Sequence, residues 1–268
     1  MAIKDSKILL ASGEDSGKKG LFMVKKDGYQ NRFYRQWLNS GGLVKTRIVI
    51  EETDLLLLSR DRVDLEFAKE RIKNLRQDIK DYIAKDKRFA LSLKPIPVEL
   101  TAPTVIRMMT EAAYLANVGP MAAVAGSIAQ LLAEELLKKG HREIIIENGG
   151  DIFLTEQNRD RSIAVFAGDS KFSGRLNLLI KTSQTPCGVC TSSGTFGHSL
   201  SFGNADSIVI VAKNAPLADA VATATCNLVK TKDDFNKAIG FAKDISGIFG
   251  VLIILDNELA SWGGVEIN

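Results

Sequence analysis

At 268 residues, with 45% apolar and 25% charged side chains, the chain has the composition of a folded globular protein, which excludes a disordered or collagen-like one. A formal net charge of +3 is too balanced to mark a nucleic-acid binder, and three cysteines are too few for a disulfide framework. No apolar run reaches the length of a membrane span, so the expectation is a cytoplasmic protein with no nucleic-acid and no membrane partner.

Residues 1–20 are polar and glycine-bearing and are expected to be loosely held, at the start of a single domain spanning 1–268. Arg32–Leu38 and Leu43–Ile50 are expected as strands, split by the turn signal Asn39-Ser40-Gly41-Gly42, and Leu55–Ser59 continues the sheet. Ala68, Ile72, Leu75, Ile79 and Tyr82 then recur at the spacing of one face of a long helix. Phe89–Leu100 holds Pro95 and Pro97 and is expected as an extended connector. Pro103 suits the first turn of a helix running to Asn117, with Thr101 as its cap, and Gly119-Pro120 ends it. Met121–Lys138 is a second helix whose charge-poor first half must be buried, with Gly140 at its C-terminus.

Beyond it, Glu143–Glu147, Ser162–Phe166, Leu176–Lys181 and Ser207–Ala212 are rich in Ile, Val and Leu and are expected as strands. Helices from Pro216 to Val229 and from Asp233 to Lys243 follow, then a buried strand over Gly250–Leu255. Helices lie between groups of strands, not after every strand, so the expected class is α+β rather than a doubly wound sheet.

Four stretches have the residue types for chemistry. In GPMAAVAGSIA, Gly119–Ala129, small residues crowd a helix start, where free N–H groups favour an anion; the same residues also suit close helix packing. ENGGD, Glu147–Asp151, follows a strand, and its paired glycines let the backbone approach a ligand or simply turn. CGVCTSSGTFGHS, Cys187–Ser199, offers two readings. Either Cys187 and Cys190 do thiol redox or metal work, or the hydroxyls of Thr191, Ser192, Ser193 and Thr195 and the Gly194 backbone cradle phosphate while His198 transfers protons. In ADAVATAT, Ala218–Thr225, Asp219 and Thr223 stand at i and i+4, so a carboxylate and a hydroxyl share one helix face, a pair suited to Mg²⁺.

Together VGPMAAVAGSIAQ, ENGGDIF, CTSSGTFGHSLSFGNAD and LADAVATATCN, in that order, resemble a UPF family of ApbE-like proteins related to the ApbE FAD:protein FMN transferase superfamily. The resemblance spans residues 30–268, with EETDLLL near Glu51 and the closing GIFGVLIIL and WGG. It implies a T-fold-like α+β fold with mixed or antiparallel sheets packed with helices. It also implies FAD or FMN and Mg²⁺ as cofactors, an acceptor protein, and association into homo-oligomers. By the same resemblance Asp219 and Thr223 are the metal ligands and His198 the catalytic histidine. Asn148, Gly149, Gly150, Asp151, Thr191, Ser192, Ser193, Gly194 and Thr195 then line the flavin nucleotide. Two departures stand out: HSLSFG lacks the acid that follows the superfamily's histidine, and Val124-Ala125-Gly126 stands where the superfamily has Ala-Lys-Gly. They keep open a flavin or nucleotide binder without transfer activity, beside the transferase, an FAD pyrophosphatase and the CxxC redox protein. No lipoprotein cysteine or signal peptide is expected.

Overall fold

The structure is a computed structural model that describes the backbone of residues 6–9 and 22–25, and residues 35, 40–195 and 201–267 in full. An antiparallel sheet of eight strands dominates it. In chain order its strands are β3 (Val44–Ile50), β4 (Thr53–Ser59), β5 (Ile145–Asn148), β6 (Asp151–Leu154), β9 (Cys187–Ser192), β10 (Ser207–Ala212), β11 (Ile248–Leu255) and β12 (Glu258–Gly263). In space they run β12-β11-β10-β9-β6-β5-β4-β3. A second sheet, β13-β8-β7, is made of Glu266–Ile267, Asn177–Ile180 and Arg161–Ala164. β1 (Ser6–Leu9) and β2 (Phe22–Lys25) form a separate two-stranded ladder. Within the first 20 residues the described backbone is that of β1, which pairs with β2.

The helices are α1 (Leu65–Lys85), α2 (Arg88–Leu91), α3 (Thr104–Ala116), α4 (Val124–Lys138), α5 (Ala215–Leu228) and α6 (Phe235–Lys243). All but the four-residue α2 are amphipathic or buried elements on one face of the large sheet. The resulting core joins Leu55, Leu57, Ile72, Met109, Leu132, Ile146, Phe153, Ile210 and Val221. The other face packs against the small sheet through Ile152, Leu154, Val189, Val209, Val211, Ile163, Leu178 and Ile180. Strand side chains alternate between faces, so β10 places Ile208 and Ile210 under the helices and Val209 and Val211 toward the small sheet. Both faces of β10 are covered, which is why SIVIVA reads as one unbroken apolar run.

The α+β expectation, with antiparallel sheets packed with helices, holds. The strand expected over Arg32–Leu38 lies outside the described residues apart from Arg35. Phe89–Leu100 begins within the short helix α2 before it becomes irregular. Pro103 is the residue preceding α3, which has no side-chain cap, so Thr101 does not serve as one. Pro120–Ala123 forms a separate 3-10 turn ahead of α4. Among the described residues no single helix is long and apolar enough to cross a membrane.

β9 escapes a periodicity reading because its composition is set by α5, which lies directly on it. A Cβ at Gly188 would stand 2.4 Å from Ala215 Cα and 2.5 Å from the Asn214 carbonyl oxygen, atoms that cannot step aside. Gly188→Ala is therefore expected to lower stability by about 2 kcal/mol or more, as overpacking against backbone does, measured by urea denaturation.

Candidate functional site

Three elements converge on the helix side of the large sheet: the β5–β6 turn, the start of α4 and the first half of α5. Asn148 pairs with Asp151 across a two-residue turn in which Gly149 and Gly150 have φ of 71° and 102°. Positive φ at both central positions defines the tight hairpin that glycine permits. Directly paired residues share a face, so Asn148 and Asp151 both point toward the helices. Asn148 donates through Nδ2 to the Ala125 carbonyl at 3.2 Å, tying the hairpin to the first turn of α4. The register that pairs Ile152 with Val189 sets Asp151 beside Cys190.

α4 begins after Ala123 with no side-chain cap of its own. Its cap comes from another helix: Asp219 Oδ2 accepts the Gly126 N–H at 2.9 Å. A carboxylate at a helix N-terminus is favoured both by the free donors there and by the helix dipole. Gly126 makes the approach possible, because a Cβ there would stand 2.5 Å from the Ala215 carbonyl oxygen and 3.1 Å from Asp219 Cβ. Thr223 lies one turn further along the same face of α5, and Asp151, Asp219 and Thr223 are 7%, 8% and 5% exposed.

Two carboxylates in one buried place cannot both ionise easily. Burial pushes the Asp219 carboxyl up to about 7, although the N–H groups of Gly126 and Ala125 pull the other way. Burial and then the neighbouring Asp219 push Asp151 well above the ordinary carboxylate range, against the Cys190 thiol and the Thr191 N–H. Asp151 Oδ1 is buried without a hydrogen-bond partner. An orphaned carboxylate oxygen, a second carboxylate and a neutral hydroxyl make a hard-oxygen donor set that fits a divalent cation such as Mg²⁺. Among the described residues no three His, Cys, Asp or Glu side chains form a complete metal cage, so further ligands have to come from a bound molecule or water.

The residues expected as a hydroxyl loop divide. Thr191 and Ser192 are the last residues of β9, not loop, and alternation sends Ser192 to the helix side and Thr191 to the other. Ser193 and Thr195 bond within the chain: the two hydroxyls are 3.3 Å apart, Ser193 Oγ accepts the Thr195 N–H, and Thr195 Oγ1 donates to Asp206. Thr195 also borders a cleft of about 530 Å³ shared with Asn204, Lys230, Lys232 and Asp256. His198 lies outside the described residues.

The strand geometry corrects the redox and metal readings of CGVC. Residues three apart on a strand face opposite ways, so Cys190 belongs to the helix-side core and Cys187 to the core beneath the small sheet. The two thiols have the backbone plane between them and cannot pair or share a metal. Burial pushes the Cys187 thiol up to about 12 and raises Cys190 and Cys226, the opposite of a reactive thiolate.

Sequence reasoning missed Glu147 and Arg35. Glu147 Oε1 accepts the Gly150 N–H at 2.8 Å, and its Oε2 takes Arg35 Nε at 2.5 Å, while Arg35 Nη1 reaches Asp54 Oδ1 at 2.6 Å. A salt-bridged glutamate thus braces the glycine turn from the face opposite Asp151. The signal was an acid inside an apolar strand, IIEN, where an unpaired charge would be costly.

The fold is that of the flavin transferases. The structure superposes on flavin transferase ApbE from Vibrio cholerae with a TM-score of 0.58 at 14% identity, covering 82% of this chain and 96% of that one. For the apo form of Pseudomonas stutzeri flavinyl transferase ApbE the TM-score is 0.55 at 10% identity, covering 82% and 94%. Within this fold the chain belongs to the family described as AbpE bacteria, whose model matches residues 35–244, and to the UPF0280 proteins. A UPF0280 protein of Methanocaldococcus jannaschii is 40% identical over 226 residues, 82% of this chain and 91% of its own length. One of Methanothermobacter thermautotrophicus is 43% identical over 194 residues, 71% and 75% of the two chains.

Two outcomes follow from the geometry. In the pH range between an ordinary carboxyl and about 7, the native state holds protons that the unfolded state releases, so the stability of the metal-free protein should fall as pH rises toward 7. Asp151→Asn removes the like-charge neighbour and should flatten that slope and raise the metal-free Tm at pH 8, while weakening stabilisation by added Mg²⁺; thermal melts across pH measure both. The native protein should also keep all three thiols after mild oxidation with diamide, with reaction toward a thiol reagent appearing only on unfolding.

Proposed function

We propose that this chain binds a flavin nucleotide, FAD or FMN, together with Mg²⁺, and that it splits FAD to pass FMN to a hydroxyl acceptor. The observation that carries this reading is the buried Asp151–Asp219 pair, with one orphaned oxygen, beside the Thr223 hydroxyl and the Gly149-Gly150 turn. Asp219, Thr223 and Asp151 hold Mg²⁺, which when bound supplies positive charge to a pyrophosphate and to the charge that grows on it during transfer. The short Gly149-Gly150 turn lets phosphate oxygens approach the main chain closely, while Gly194 packs on Gly203, which lies against the last turn of α5.

In the transfer, the acceptor oxygen attacks the phosphorus of the FMN half. A new P–O bond forms, the bond from that phosphorus to the bridging oxygen breaks, and AMP leaves with that oxygen. His198, on the strength of its sequence position, takes the acceptor proton. With a serine or threonine of an acceptor protein the product is flavinylated protein; with water it is free FMN. Association of the chain with itself and a cytoplasmic setting belong to the same proposal, and three buried reduced cysteines suit the latter.

A second reading, a flavin carrier without transfer, is favoured by Ala125 in place of the superfamily's lysine and by the absent acid after His198. Incubation with FAD and Mg²⁺ separates the two. AMP release that falls at least about 100-fold in Asp219→Ala is expected for the transferase; bound flavin with no AMP is the result for the carrier, and neither binding nor AMP contradicts both.

A further inference from the structure

We propose that Arg60, Arg159 and Arg161 form a second binding site, one for a phosphate-type oxyanion, at the end of the large sheet remote from the Gly149-Gly150 turn. The register that pairs Leu58 and Leu154 with Ile145 brings the residues after β4, before β5 and after β6 to this end. About 10 Å of β5 separates Ile145 from Asn148 and the paired acids. The site therefore stands apart from the one that the proposed function uses and does not depend on that reading.

Arg161 is the buried member, its side chain 8% exposed. Its Nε donates to Gln157 Oε1 at 2.9 Å and its Nη2 to Glu143 Oε2 at 3.2 Å. Gln157 is itself held, with Nε2 on the Thr155 carbonyl at 2.9 Å, so the guanidinium plane is fixed. The remaining nitrogen, Nη1, has no hydrogen-bond partner among the described residues and lies against Gly41, 2.9 Å from where a Cβ would stand. Arg159 comes to the same point with Cζ at 3.6 Å, and its Nη2 stands 3.3 Å from a Cβ on Gly42. Two guanidiniums thus meet at a turn whose glycines, at φ of 54° and 84°, put no side chain over them.

Charge at this end of the sheet is unbalanced. Glu143 is shared, with Oε1 taken by Arg60 and Oε2 by Arg161, and Arg159 has no ion-pair partner among the described residues. Glu156 and Asp160 form no ion pair with these arginines, and Asp160 accepts the Thr182 N–H at 2.8 Å. Burial and then the neighbouring Arg159 hold the Arg161 guanidinium below its usual value, against the pull of Glu143. An anion relieves three guanidiniums gathered around one carboxylate, and the planar fork of arginine presents paired N–H donors that match phosphate oxygens. A purely structural role would need Arg161 and Glu143 but not an unpaired Arg159 beside them.

Calorimetric titration with inorganic phosphate tests the proposal, in chelator and at constant ionic strength set with chloride, so that Mg²⁺ at Asp219 plays no part. One phosphate per chain is expected, bound at least about tenfold more weakly by Arg159→Gln and equally well by Asp219→Ala. Arg159 is exposed, so its replacement leaves the fold intact. Without phosphate, Arg159→Gln should melt at or above the parent's temperature, because a like charge beside Arg161 is gone. Glycerol phosphate separates the two sources of the anion: stronger binding than inorganic phosphate assigns the site to an esterified phosphate, and weaker binding to the free ion. No binding of either, binding that Arg159→Gln leaves unchanged, or binding lost in Asp219→Ala overturns the proposal.

Discussion

The bond from the Gly126 N–H to Asp219 is the contact on which the arrangement of the site depends. It caps a helix that has no cap of its own, and it does so from a different helix, so the start of α4 and the first half of α5 are fixed to one another. Because the cap is a carboxyl held in a buried place beside Asp151, the same contact that orders the two helices also crowds two acids together, and Asp151 keeps its proton well above the ordinary carboxylate range. The α4 N-terminus favours the Asp219 carboxylate, while one Asp151 oxygen is left buried without a hydrogen-bond partner.

Close approach of backbones makes the contact geometrically possible. Gly126 and Gly188 both leave room for Ala215, from α4 on one side and β9 on the other. α5 is therefore held between a helix and a strand at distances that no larger residue would permit. The Arg35–Glu147 pair performs a comparable task on the far face of the sheet, where Glu147 holds the Gly150 N–H. The glycine turn is braced by one acid from behind and presents another, Asp151, in front.

Much of this was legible in the sequence because helix spacing and turn chemistry are local. The α1 face, the Gly149-Gly150 turn and the i, i+4 relation of Asp219 to Thr223 follow from periods that a single segment reveals. What was not legible is what depends on a partner element. CGVCTS gives no alternating pattern, because Gly188 and Cys190 answer to α5 and not to a strand's own preference. Cys187 and Cys190 looked like a motif until the strand put them on opposite faces. The sequence offers Asp151 as part of a glycine turn that lines a nucleotide or simply turns, and only its pairing with Asn148 turns it toward Asp219. Arg35 carried no signal at all, since its partner Glu147 lies far away in sequence.

In the function proposed for this chain, the Asp151–Asp219 pair makes flavin-nucleotide binding depend on a divalent cation. Calorimetric titration of the protein with FAD, in chelator and then in millimolar Mg²⁺, tests it most directly. One FAD per chain is expected in Mg²⁺, with an affinity weaker by at least about tenfold in chelator, a difference that Asp219→Ala abolishes. FAD binding of equal strength with and without the cation would contradict it.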